Sequence, residues 1–123
     1  MRKGILIKTN CSISVVELPE DDTFNDEVYK LLNCSCWEGV ITDLGCYMLV
    51  DENGKMTKPP KLPNCLATAI YPGFPDDYIC GDTLILKIGK DSHGESDLVS
   101  LSDIEISKLL FHLHEILKIL KED

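Results

Sequence analysis

The sequence predicts an α+β fold: a small, mostly antiparallel sheet with one mid-chain helix, one short helix and a long amphipathic C-terminal helix. Three observations lead there. Apolar runs of strand length are separated by turn residues, a central stretch repeats its apolar residues at helical spacing, and the C-terminal segment joins a capping signal to a leucine-rich stripe.

Gly4 to Lys8 reads as a strand and Ile13 to Leu18 as its hairpin partner, with Thr9-Asn10-Cys11-Ser12 turning between them. Pro19 ends the hairpin. Asp21, Asp22 or Thr23 then offers a cap, and Phe24, Val28, Leu31 and Leu32 recur at helical spacing, which predicts a helix from near Asp22 to Leu32. Cys36 to Thr42 and Cys46 to Val50 form a central hairpin around Asp43-Leu44-Gly45. Asn53-Gly54 marks a turn, and the proline-rich segment Met56 to Pro63 should be irregular. Asn64 can cap a short helix over Cys65 to Ile70. Ile79 to Ile88 reads as a late strand with a bend at Gly81, and Gly89 to Ser96 as a polar loop. Ser102 and Glu105 make a capping box, followed by Ile106, Leu109, Leu110, Leu113, Ile116, Leu117 and Leu120, which fall within about 120° of a helical wheel. The expected organisation is an α+β core over 1–90, with 91–123 a loop and helix packed on that core or on a dimer partner.

The 123 residues suffice for one core, and hydrophobic and charged contents of 44% and 27% argue against global disorder. A net charge of −9 argues against gripping nucleic acid directly and against an anionic membrane surface. No apolar run is long enough to span a bilayer, and Ile5-Leu6-Ile7 is too short for a signal peptide, so a cytoplasmic location is expected. In that compartment the six cysteines should be thiols. Cys34 and Cys36 are too close for a zinc knuckle, and a site would need Cys46 and Cys65 as well. All are read as small buried apolar side chains, and no metal or cofactor is expected.

Several stretches resemble a family of small phage and plasmid proteins of Gram-positive bacteria, a domain of unknown function. They are Lys3-Gly4-Ile5-Leu6-Ile7, Trp37-Glu38-Gly39-Val40, Asp51-Glu52-Asn53-Gly54-Lys55, Leu62 to Tyr71 and Cys80-Gly81-Asp82-Thr83-Leu84. The resemblance covers roughly residues 3–88 and implies a mobile genetic element as source. It implies no reaction. Cys65-Leu66 departs from the family, where basic residues are frequent.

No nucleophile elbow, phosphate loop or dinucleotide fingerprint is present, so catalysis is not expected. His112 and His114 sit about 200° apart on a helix and cannot share a metal. His93 belongs to a polar loop, and Asp82 is read as a turn residue that binds backbone amides. The acidic run Glu20, Asp21, Asp22, Asp26 and Glu27 suits a basic partner surface. Ile104 and Phe111 lie opposite the C-terminal stripe, which predicts self-association, most simply a dimer. The expected function is therefore a non-enzymatic binding protein of a phage or mobile element. It would contact a host or anti-phage defence protein through these residues. The alternative is a nucleotide-signal binder with a pocket at a dimer interface, in which Lys58, Lys61 and Lys87 contact phosphates.

Overall fold

The computed structural model describes residues 1–122. Ile5-Leu6-Ile7, Met48-Leu49-Val50 and Leu84-Ile85-Leu86 are each no more than 4% exposed. Successive side chains on a strand point to opposite faces, so runs buried at every position require cover on both sides. The structure supplies it. A six-stranded antiparallel sheet lies between one helix and a pair of helices.

The strands are β1 (Arg2–Ile7), β2 (Ile13–Leu18), β3 (Trp37–Ile41), β4 (Tyr47–Asp51), β5 (Thr83–Lys90) and β6 (Ser96–Val99). Their order is β2-β1-β5-β4-β3, with β6 on the second half of β5. Helix α1 (Phe24–Leu32) places Phe24, Val28 and Leu32 on the face carrying Leu6, Leu49, Leu84 and Leu86. Helices α2 (Cys65–Ala69) and α3 (Asp103–Glu122) cover Ile5, Ile7, Met48, Val50 and Ile85. One face is thus built from leucine, the other from β-branched residues and methionine.

Both faces being apolar, polarity alone does little to set the strand register, and polar groups at the strand ends help to fix it. Asn64 is fully buried. Its Oδ1 accepts from Ala67 N–H at 3.1 Å and so caps α2, while its Nδ2 donates to Ile7 O (3.0 Å) and Gly81 O (2.9 Å). One amide thereby ties the end of β1, the entry to β5 and the start of α2 together. Asp82 accepts from Thr9 N–H at 3.0 Å, the backbone role expected for it. Gly4 is required where β1 crosses β5, since a Cβ there would lie 2.8 Å from Ile85 O.

The hairpins and three helices expected from the sequence are present, with shifted ends. At α1 none of the three candidate side chains caps the helix. Asp21 instead accepts from Thr23 N–H (2.9 Å) and Oγ1 (2.5 Å), closing a turn ahead of it. The late strand starts at Thr83 rather than Ile79, because Gly81 turns the chain at φ +91°. The segment read as a polar loop is a hairpin. Gly89 and Lys90 continue β5, Asp91 Oδ1 accepts from His93 and Glu95 N–H, and Ser96 opens β6. The boundary placed at residue 90 falls inside this hairpin. Leu101, Ile106, Leu109 and Leu113 join the same cluster as Ile5 and Met48, so α3 packs on its own core. Asp123, the last residue of the expected C-terminal unit, lies outside the described residues.

The capping box forms as expected. Glu105 N–H donates to Ser102 Oγ (3.1 Å) and Ser102 N–H to Glu105 Oε1 (2.9 Å), which also receives Lys87 Nζ at 2.7 Å. Lys87 and then the Ser102 amide hold the Glu105 carboxyl down at about 2, from 4.5.

Two outcomes follow. Asn64→Ala removes the cap and strips two buried carbonyls of their donor, so urea denaturation should show a loss of about 3 kcal/mol. Because the folded pKa of Glu105 is depressed, its contribution is complete above about pH 4.5 and fades as pH falls toward 2. Both side chains of the ion pair are more than a third exposed. Screening therefore limits the deficit of Glu105→Gln to about 1 kcal/mol at neutral pH, and denaturation at pH 2 should show the deficit closing.

Candidate functional site

On the α1 side of the sheet a cleft of ≈ 480 Å³ opens between the start of α1 and the β5–β6 hairpin. Trp37 and Tyr47, facing the α1 layer from the starts of β3 and β4, line it together with Phe24 and Leu98. Asp21, Asp22 and Asn25 line it from the entry of α1, and Ser96 and Asp97 from β6. Three carboxylates therefore share the cleft with one guanidinium, that of Arg2.

Arg2 is already committed. Its side chain is 14% exposed, its guanidinium carbon lies 4.4 Å from the Phe24 ring centroid, and it is 3.6 Å from Asp97. It offsets part of the charge of Asp97 and fixes one wall. The Thr23 hydroxyl and then its amide, both donating to Asp21, keep the Asp21 carboxyl below its ordinary pKa and thus ionised. Among the described residues Asp22 makes no ion pair, and this exposed aspartate lines the same opening as Trp37 and Tyr47. Tyr47 reaches its position because residue 39 is glycine. A Cβ on Gly39 would fall 2.0 Å from Tyr47 Oη, inside the ring's own space.

The arrangement favours a cation with a flat or apolar body. Carboxylates at a rim and aromatic faces behind them are the two partners an arginine or lysine side chain uses.

Of the residues expected to meet a partner, Asp21 and Asp22 line the cleft. Glu20 pairs with the N-terminal ammonium at 3.3 Å, Glu27 pairs with Lys30 at 3.4 Å, and Asp26 is exposed outside the lining. Ile104 and Phe111 are 69% and 64% exposed on α3, beyond the opposite face of the sheet, so the acidic run and this helix do not form one surface. Arg2, Phe24, Trp37, Tyr47, Ser96 and Asp97 line the cleft as well, and no motif in the sequence marks them as a set. The tryptophan, alone of its kind in the chain, between a cysteine and a glutamate at a strand start, was the available signal.

The phosphate-binding reading loses two of its three lysines. Lys61 Nζ pairs with the buried Asp51 at 2.7 Å and donates to Leu32 O (2.9 Å) and Asn33 O (2.5 Å), capping the end of α1. Lys87 is held by Glu105 on α3, and Lys58, exposed in a loop, makes no ion pair among the described residues.

Elsewhere, Lys55 pairs with Asp77, which accepts from Tyr71 Oη at 3.1 Å, while Lys55 lies 4.2 Å from the Tyr78 ring centre. The Asp77 hydrogen bond raises Lys55, Lys55 lowers Asp77, and burial raises Tyr71. Each keeps its ordinary charge at neutral pH, so the cluster clasps two loops and offers no poised acid or base. Cys36 and Cys65 are exposed, contrary to the buried role expected of them, whereas Cys46 and Cys80 are buried. Cys34 and Cys36 precede β3 rather than lying within it. Burial raises the Cys34, Cys46 and Cys80 thiols, so they stay protonated. Among the described residues no group of three His, Cys, Asp or Glu side chains converges on a metal position.

Lys61→Met should cost about 3–5 kcal/mol in thermal or chemical denaturation, because it leaves the Asp51 carboxylate buried without its partner. A side chain kept for an exogenous phosphate would cost little when replaced. No family model, curated protein or solved structure was found to match this chain.

Proposed function

We propose that this chain is a non-enzymatic binding protein that takes a basic segment of a protein partner into the α1-side cleft. The observation that carries the reading is the meeting of Asp22 and Asp97 with Trp37 and Tyr47 in one opening. The net charge of −9 would add long-range attraction to the short-range fit, raising the rate of encounter with a basic surface. The resemblance to phage and plasmid proteins supports a host or defence protein as the partner and the host cytoplasm as the place of action. No helix among the described residues is long and apolar enough to cross a membrane.

Trp37, the only tryptophan, provides the readout. Titration with a short peptide alternating arginine and glycine should change its emission saturably, and a glutamate–glycine peptide should not. Neutralising two rim charges with Asp22→Asn/Asp97→Asn should weaken the arginine peptide about fivefold, as expected for two exposed ion pairs, and added salt should weaken it further. An emission spectrum unmoved by the arginine peptide, or equal binding by the variant, would overturn the proposal.

A further inference from the structure

The cleft accounts for part of the acidic run and leaves α3 unexplained. The inward stripe of α3, Ile106, Leu109 and Leu113, is spent on the core. Yet Ile104, Phe111 and Ile119 remain 69%, 64% and 63% exposed. With Lys108 and Glu115 between them, these residues advance by four, three, four and four, and so occupy about 80° of the outward surface.

We propose that this face pairs with the α3 of a second copy, antiparallel, about a twofold axis passing between Phe111 and His112. The sequence of the face is complementary to its own reverse. About that axis Ile104 stands opposite Ile119 of the second copy, Lys108 opposite its Glu115, and Phe111 opposite its His112. Every match occurs twice, as a twofold interface requires. At the centre each chain brings an aromatic pair, since the rings of Phe111 and His112 already meet edge to face at 5.7 Å and 72°. Glu115 carries Lys118 of its own chain at 3.0 Å, and both are exposed enough to admit a second lysine.

Other alignments of the same face fail. A parallel pair sets Lys108 against Lys108. A shift of four residues toward the C-terminus sets Lys108 against Ile119, and four the other way sets Ile104 against Glu115. Like charges or an apolar–charged mismatch disfavour each of these. Charge complementarity thus selects the occupant and its register together.

The test is sedimentation equilibrium of the full chain from micromolar to millimolar concentration, with circular dichroism to confirm folding of each variant. The chain should pass from its monomer mass of 13.8 kDa to twice that value. Lys108→Glu and Glu115→Lys should each weaken the dimer about tenfold, since each creates two like-charge contacts. The double swap Lys108→Glu/Glu115→Lys should restore it, and Phe111→Ala should weaken it at least as much as either single swap. A chain that stays monomeric throughout, single swaps without effect, or a double swap that fails to restore the dimer would each overturn the proposal.

Discussion

Much of this structure depends on the Asn64 side chain. The central strands are apolar on both faces, so sliding one past another would leave as much hydrocarbon buried as before. Asn64 removes that freedom. Its amide nitrogen reaches the last carbonyl of β1 and the carbonyl of Gly81 ahead of β5, while its oxygen starts α2. Neither β-strand can shift without stranding a buried polar group, and an unpaired group of that kind costs about 1–3 kcal/mol. The two strands so fixed are the ones that carry β2, β4 and β6 on their flanks.

The elements legible in the sequence were those specified by short-range chemistry. The Ser102–Glu105 box, the Asn64 cap and the β3–β4 turn with Gly45 at φ +80° each involve residues no more than a few positions apart. Strand β6 escaped because Ser96 and Asp97 face solvent and only Leu98 and Val99 carry an apolar signal, too little for a period to show. The cleft escaped for a different reason. Its lining comes from β1, the entry of α1, β3, β4 and the β5–β6 hairpin, and nothing in the spacing of Arg2, Trp37, Tyr47 and Asp97 announces that they meet. Asp22 was legible as one acid among several. Glu20, Asp21 and Glu27 have partners in the N-terminus, the Thr23 turn and a lysine, and Asp26 lies outside the cleft, so among the described residues Asp22 is the acid of this run that lines the cleft without a partner of its own.

The same distinction applies to the lysines. In sequence Lys58, Lys61 and Lys87 are equivalent cations. In the fold Lys61 neutralises a buried aspartate and closes a helix, and Lys87 steadies the start of α3. Of the three, Lys58 is the one with no ion pair among the described residues, and a single flexible ammonium supplies little selectivity. Charge that is spent internally shapes the molecule, and charge left over is what a visitor meets. In the cleft the remainder is negative.

The placement of the helices on opposite sides of the sheet has a thermodynamic corollary. A guest in the cleft leaves α3 uncovered, and a helix laid along α3 leaves the cleft open. Occupancies so separated, with no shared contacts, add their free energies. A pair of chains joined back to back would then present two clefts to the outside, spaced by the thickness of two molecules. A target carrying two basic segments at that spacing would be gripped by avidity, without any improvement in either individual contact.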